Sequence, residues 1–164
     1  MSSQQSVNRV STLSARGLNI ALVVSMYNES ITARLLQGAR ACLEKHGANS
    51  SKIPVFSCPG AFELPQVARA LTEHRKWDAV ICLGAVIRGE TPHFDFVAAE
   101  DARGIQDVAL TSGIPVVFGV LTTNNVKQAK ERSGGKRGNK GWEAALTGIE
   151  MARLFRRLER SRRR

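Results

Sequence analysis

The sequence predicts a single α/β domain, a three-layer αβα sandwich around a four-stranded parallel sheet. Three observations predict it. Four short, continuous apolar runs rich in β-branched residues recur along the chain, and runs without polar alternation suit strands buried on both faces. Longer segments with apolar residues at helical spacing separate them. The chain has 164 residues, enough for one domain of about 100–150 residues but not for two. Alternating β and α units imply a parallel sheet with helices on both faces, joined by right-handed crossovers.

The elements follow in order. The first strand is read over Asn19–Val24 (NIALVV). A helix follows on the stripe Ile31, Leu35, Ala39 and Cys42, with Ser30 placed to cap it and Gly47 to stop it. The second strand is Ile53–Phe56 (IPVF), and its helix carries Leu64, Val67, Ala68 and Leu71. The third is Ala79–Leu83 (AVICL), and its helix carries Phe96, Ala99, Ala102, Ile105 and Ala109 up to a stop at Gly113. Pro115–Leu121 (PVVFGVL) forms the fourth strand. The last helix is expected in two pieces, the second carrying Trp142, Ala145, Leu146, Ile149 and Ala152. The break falls across Ser133–Gly141, where four of nine residues are glycine.

Composition bounds the rest. At 43% hydrophobic and 23% charged residues, the chain is ordinary globular protein, not a disordered or collagen-like one. No apolar run approaches the ~20 residues that span a bilayer, and the polar start, MSSQQSVNRVSTLSARG, lacks the apolar core of a secretory signal. Cys42, Cys58 and Cys82 form an odd set without CxxC spacing. They read as buried reduced thiols of a cytoplasmic protein, not as a disulfide framework or a zinc site. The net charge is +10, but from Arg153 onward seven Arg face one Glu, so +6 sits in that segment and +4 in the body. The tail reads as a solvated helix end rather than a nucleic-acid arm. The expected organisation is a flexible N-terminal segment (1–17), one domain (18–158) and a basic tail (159–164).

In doubly wound sheets, ligands bind outside the carboxyl ends of the strands. Four clusters lie there: Ser25–Glu29, Cys58–Glu63, Gly84–His93 and Thr122–Asn125. Gly89 lets backbone approach a ligand, Thr91 adds a hydroxyl, and the following helix start supplies free N–H groups. Together they suit a phosphate or another anion. His93, in the first helical turn, is positioned for proton transfer near neutral pH. Taken alone, it reads as a helix-start residue facing water. Tyr27, Phe62 and Phe118 lie at strand ends or just beyond, where rings can sandwich a flat heterocycle or simply fill core. Arg132 suits a bidentate phosphate contact or a solvated surface position. Neither a P-loop nor a GxGxxG fingerprint is present.

The segments Pro59–Pro65 (PGAFELP), Gly84–Phe94 (GAVIRGETPHF) and Gln128–Glu143 (QAKERSGGKRGNKGWE) resemble those of lumazine synthases, in order and on the same β/α frame, across about Leu18–Leu154. The resemblance implies a flavodoxin-like sheet. The implied reaction joins 5-amino-6-ribitylaminouracil and 3,4-dihydroxy-2-butanone 4-phosphate to give 6,7-dimethyl-8-ribityllumazine, phosphate and water. It implies no metal and no organic cofactor. It implies a homo-oligomer of pentamers, which some family members pair as decamers or build into an icosahedral shell, with sites shared between neighbours.

Residue by residue, the resemblance implies that Tyr27 stacks on the pyrimidine beside Asn28. Ala61, Phe62 and Glu63 would line the ribityl chain, with Glu63 accepting from its hydroxyls. Val86 and Ile87 would meet the uracil edge. Gly89, Glu90 and Thr91 would hold the phosphate, Glu90 through its backbone, and His93 would transfer the proton. Phe118, Arg132 and Lys140 would come from the neighbouring subunit, Arg132 onto the phosphate. Tyr27 stands where the family usually has Phe or Trp, and Cys58 where Val is common. Two other readings stay open here: a flavin- or lumazine-binding protein without synthase activity, which would need neither His93 nor Arg132, and a nucleic-acid module driven by the basic tail.

Overall fold

A computed structural model of the chain describes residues 13–164; of the expected N-terminal segment, residues 1–12 lie outside them. In the rest of that segment Ala15 is buried and its N–H donates to the His46 carbonyl at 2.7 Å. The Arg153 guanidinium donates to the carbonyls of Ser14 and Arg16.

The strands β1 (Ile20–Ser25), β2 (Val55–Cys58), β3 (Ala79–Ile87) and β4 (Val116–Thr123) form one parallel sheet in the order β2-β1-β3-β4. Helices α1 (Glu29–Lys45) and α5 (Lys140–Arg162) cover one face. Helices α2 (Leu64–His74) and α3 (His93–Ser112) cover the other. Period-two alternation sends Leu22, Val24, Ile81 and Leu83 towards Leu35, Leu43 and Ile149 on the first face. Ala21, Val23, Val80 and Cys82 meet Leu64, Ala68, Ile105 and Val108 on the second. Each such Leu, Ile or Val contributes about 1.5–3 kcal/mol on burial. The result is the three-layer sandwich that the pattern predicts, with the flavodoxin-like sheet that the resemblance implies.

Five local expectations change. The third and fourth strands run on to Ile87 and Thr123, so Gly84–Ile87 and Thr122–Thr123 lie within strands and not beyond them. The second strand lies two residues later than Ile53–Phe56. It is an edge strand, with Phe56 and Ser57 exposed, so it is not buried on both faces. The first helix begins at Glu29, and its N-cap is Asn28, left-handed at φ 62°, so Ser30 lies inside the helix. Asn tolerates that region better than other side chains do. On α3 the core-facing residues are Asp101, Ile105 and Val108, while Phe96, Ala99 and Ala102 face outward. This helix is apolar on two faces, and periodicity alone does not choose between them. Finally, the break between helices is narrower than Ser133–Gly141. Helix α4 (Val126–Arg132) leads into a small antiparallel hairpin, β5 (Ser133–Gly135) and β6 (Gly138–Asn139), and α5 starts at Lys140.

That helix start is tightly seated. A Cβ on Gly141 would collide with the Leu35 carbonyl oxygen of α1. Asn139 Oδ1 accepts from the N–H groups of Gly141 and Trp142, and its Nδ2 donates to the Arg34 carbonyl at 3.0 Å. One asparagine therefore caps α5 and ties it to α1.

Candidate active site

The carboxyl ends of β1, β2 and β3 are bound together by the loops that follow them. The N–H groups of Met26 and Tyr27 both donate to the Pro59 carbonyl, at 3.1 and 2.9 Å. Asn28 Nδ2 donates to the Ala85 carbonyl at 3.0 Å. The Asn28 amide is thus spent on joining the first loop to β3. Tyr27 is 68% exposed, and its ring lies over Gly60, where an added Cβ would come within 2.6 Å of it. Glycine there lets the ring lie against backbone.

Beyond Gly60, a 3-10 turn over Ala61–Glu63 presents Phe62 at 58% exposure above the buried Ala61. Glu63 Oε2 accepts the Gly60 N–H at 3.0 Å, which orients the carboxylate. Val86 and Ile87 end β3 beside this wall. Arg88, Gly89, Glu90 and Thr91 are exposed, and nothing lies within 4 Å of a Cβ placed on Gly89. His93 is the first residue of α3 and is exposed, behind Pro92 at the N-cap. Tyr27, Phe62, Glu63, Gly89, Thr91 and His93 therefore all lie at or beyond the same edge of the sheet.

The role of Arg88 is not evident from sequence. Its guanidinium pairs with both Asp95 oxygens at 3.1 and 3.3 Å, lies 4.3 Å from the Phe94 ring centroid, and reaches Asn124 Oδ1 at 3.3 Å. Its N–H donates to the Thr123 carbonyl at 2.9 Å. Arg88 thus clamps the Gly89–Thr91 loop between the start of α3 and the end of β4. The only sequence signal was an arginine inside an anion-type loop, which suggests a ligand contact rather than a clamp.

Phe118, Arg132 and Lys140 are brought together, but elsewhere. With Val120–Thr123, Arg137 and Glu143 they line a cleft of ≈ 490 Å³ beside β4, the edge strand. No residue of the Tyr27–His93 group lines that cleft. Arg132 Nη1 donates to the Gln128 carbonyl at 3.3 Å, and Lys140 lies 3.7 Å from Glu143. Three cations against one lining carboxylate suit an anionic ligand. A larger cleft of ≈ 650 Å³ lies at the opposite end of the sheet, around Trp77 and Ile114, and holds none of these residues.

Among the described residues, no group of three or more His, Cys, Asp or Glu is placed to hold a metal ion, and no helix is long and apolar enough to cross a membrane. All three cysteines are free and buried. Burial pushes the Cys42 and Cys58 thiols up to about 11, so both stay protonated and unreactive near neutrality. Asp101 is the unexpected group. It is completely buried beneath the 3-10 turn, neither carboxyl oxygen has a hydrogen-bond partner among the described residues, and burial followed by the Glu63 charge pushes it up to about 7.

Comparison with known proteins supplies the chemistry. The family described as 6,7-dimethyl-8-ribityllumazine synthase matches residues 17–156. The chain is similar to the 6,7-dimethyl-8-ribityllumazine synthase of Clostridium kluyveri, with 53% identity over 147 residues, covering 90% of this chain and 96% of that protein. It is similar to that of Chlorobium chlorochromatii, with 52% identity over 147 residues, covering 90% and 95%. For that of Chlorobium luteolum the identity is 52% over 146 residues, covering 89% and 94%.

Proposed function

Since the chain belongs to the 6,7-dimethyl-8-ribityllumazine synthase family, we propose that its two separated clusters are the two halves of one synthase site, completed across a subunit boundary. The activity is the transferase-type condensation of 5-amino-6-(D-ribitylamino)uracil with 3,4-dihydroxy-2-butanone 4-phosphate in riboflavin biosynthesis. The separation is the observation that carries the reading. The pyrimidine wall and His93 stand at the strand ends, whereas Phe118, Arg132 and Lys140, each half-buried, line a separate cleft beside β4.

In this reading Tyr27 stacks on the pyrimidine, held flat by Gly60 and flanked by Asn28. Val86 and Ile87 close on the uracil edge. Ala61, Phe62 and Glu63 line the ribityl chain, whose hydroxyls donate to Glu63. The loop Gly89-Glu90-Thr91 and the free N–H groups at the start of α3 bind the phosphate, and a neighbour's Arg132 completes its charge. Phe118 and Lys140 of that neighbour cover the uracil side.

The 5-amine attacks the ketone and loses water to form an imine. His93 takes the proton that must leave carbon as phosphate departs. The enol left by this elimination takes a proton on its methylene carbon to become a methyl ketone, and that new carbonyl closes onto the ribityl-bearing nitrogen with loss of a second water. Holding both reactants together supplies up to ~7–11 kcal/mol, and proton transfer through His93 about 10²–10⁴-fold.

The assembly is read as a pentamer or a multiple of pentamers, up to an icosahedral shell. Residues 18–158 are read as the synthase domain and 159–164 as its basic tail. The buried reduced thiols support a cytoplasmic location. The test is lumazine formation from the two substrates, with the mass of the active species measured in solution. The expected result is turnover without added metal, unchanged by EDTA, in a species of at least five subunits. Turnover by an isolated subunit would overturn the shared site, and a metal requirement would overturn the proton-transfer chemistry assigned to these residues alone.

A further inference from the structure

Six residues of α3 are ionisable, and Asp101 alone among them is buried. Its carboxyl oxygens have no hydrogen-bond partner among the described residues. A charge in that setting is costly. The titratable groups that bear on it come from three neighbouring segments: Glu63 from the 3-10 turn, Cys58 from the end of β2 and Cys82 from β3. The other elements on this face, α2 and β4, contribute Leu64, Ala68, Phe118 and Val120, none of which titrates. On α3 itself, Glu100 and Arg103 pair with each other at the surface. Among the described residues no cation bears on Asp101 to offset a charge there.

Two carboxyl groups so placed do not both ionise cheaply. Glu63 is already committed as an acceptor, since its Oε2 receives the Gly60 N–H. We propose that Asp101 is a positioning residue for the ribityl-binding wall: kept neutral, it leaves Glu63 free to accept the ribityl hydroxyls, and its ionisation weakens binding of the ribityl-bearing substrate. The proposal rests on the assignment of Glu63 to the ribityl chain. A buried negative charge beneath the turn either draws a proton onto the half-buried Glu63, which turns one of its oxygens from acceptor to donor, or drives the turn outwards into water. Either change weakens the acceptor. By reciprocity, substrate that closes over the wall excludes water and favours the neutral acid, so binding and protonation of Asp101 promote each other.

The test is the dissociation constant of the ribitylaminouracil for the assembled protein between pH 6 and 9, in wild type, Asp101→Asn and Asp101→Val. A shift of one unit on binding corresponds to about tenfold in affinity. The wild-type constant is therefore expected to rise about five- to tenfold more across that range than the constant of either variant, while the KM for the butanone phosphate shows no such difference. Calorimetric titration of wild type near pH 7.5 in two buffers of different ionisation enthalpy is expected to show net proton uptake. Absence of that uptake overturns the proposal without any variant. Glu63→Gln separates the two ideas. If it leaves the dissociation constant at pH 6 unchanged, the ribityl assignment fails and takes the proposal with it. If it raises the constant while Asp101→Asn keeps the wild-type pH profile, the role of Asp101 alone is overturned.

Discussion

His93 opens α3 as an exposed residue. Its side chain contributes little to folding, so its removal isolates its chemistry. His93→Ala is expected to slow turnover by about 10–10⁴-fold while leaving uracil affinity within a few-fold, because reactant alignment survives. Steady-state kinetics with direct binding measurement checks this, and wild-type turnover would reduce His93 to a helix-start residue. Asp101 is the opposite case, buried and titrating. Its folded-state value, about 7, lies above the ordinary 3.8. Between those values the native state holds a proton that the unfolded chain has released. Stability attributable to this group therefore falls as pH rises from about 4 to about 7 and is level above that. Asp101→Val removes the penalty. Its stability margin over wild type is expected to be about 2–3 kcal/mol larger at pH 8 than at pH 5, as read from denaturant unfolding at fixed protein concentration. A margin independent of pH would show that the acid is not its source.

At the scale of elements, the sequence is informative wherever burial is two-sided. Strands β1, β3 and β4 are legible because Ile20–Val24, Ala79–Leu83 and Val116–Leu121 are apolar without interruption. The second strand is displaced because an edge strand tolerates Ser57 and an exposed Phe56, which breaks the apolar run. The burial of Asp101 is not legible because an acid in a helix looks like a solvent residue, and Phe96, Ala99 and Ala102 offer a rival apolar stripe. The clamp by Arg88 depends on Asp95 and Asn124, residues 7 and 36 positions away, a pairing that spacing does not reveal. Glycines in the break were legible as a break, but their individual jobs were not. Gly141→Ala would press its Cβ into the Leu35 carbonyl, backbone against backbone, with no side chain able to yield. Gly148→Ala, in the same helix, meets the tip of Ile81 at 2.9 Å, which can turn aside. Gly141→Ala is expected to cost about 3 kcal/mol or more, and Gly148→Ala clearly less. Thermal unfolding of the two variants side by side checks this, and equal costs would show that the α1–α5 contact is slack.

At the scale of the molecule, the two clusters are separate, since no residue of the Tyr27–His93 group lines the cleft that holds Phe118, Arg132 and Lys140. The Tyr27–His93 wall ends the sheet, while the cleft with Arg132 opens beside the unpaired edge of β4. A site made from both needs one subunit's edge to meet the next subunit's strand ends. That contact is head-to-tail, and repeating it either closes a ring or grows a filament. Exposed Phe96 and Leu110 on α3 supply apolar surface that such a contact can bury. Phe118 and Arg132 stand out in the sequence as a ring and a phosphate-type cation, whereas Lys140, and the proposed service of all three to another chain, come only through family resemblance, since nothing local marks such a role. Subunit mixing tests the arrangement directly. In the proposed site, His93→Ala subunits lack the proton-transfer group but offer an intact Arg132 to a neighbour. Arg132→Ala subunits are weakened for the butanone phosphate, by about ten- to hundredfold for one charge-assisted contact, but keep His93. In rings reassembled from equal amounts, about one site in four combines an intact His93 with an intact Arg132 from the next subunit. Activity at limiting butanone phosphate is therefore expected to recover to about a quarter of wild type. Recovery should require unfolding or dissociation before mixing, because preformed rings cannot exchange interfaces without it. Mixed rings, confirmed by mass, that remain as inactive as their parents would show that each subunit carries both halves of its own site.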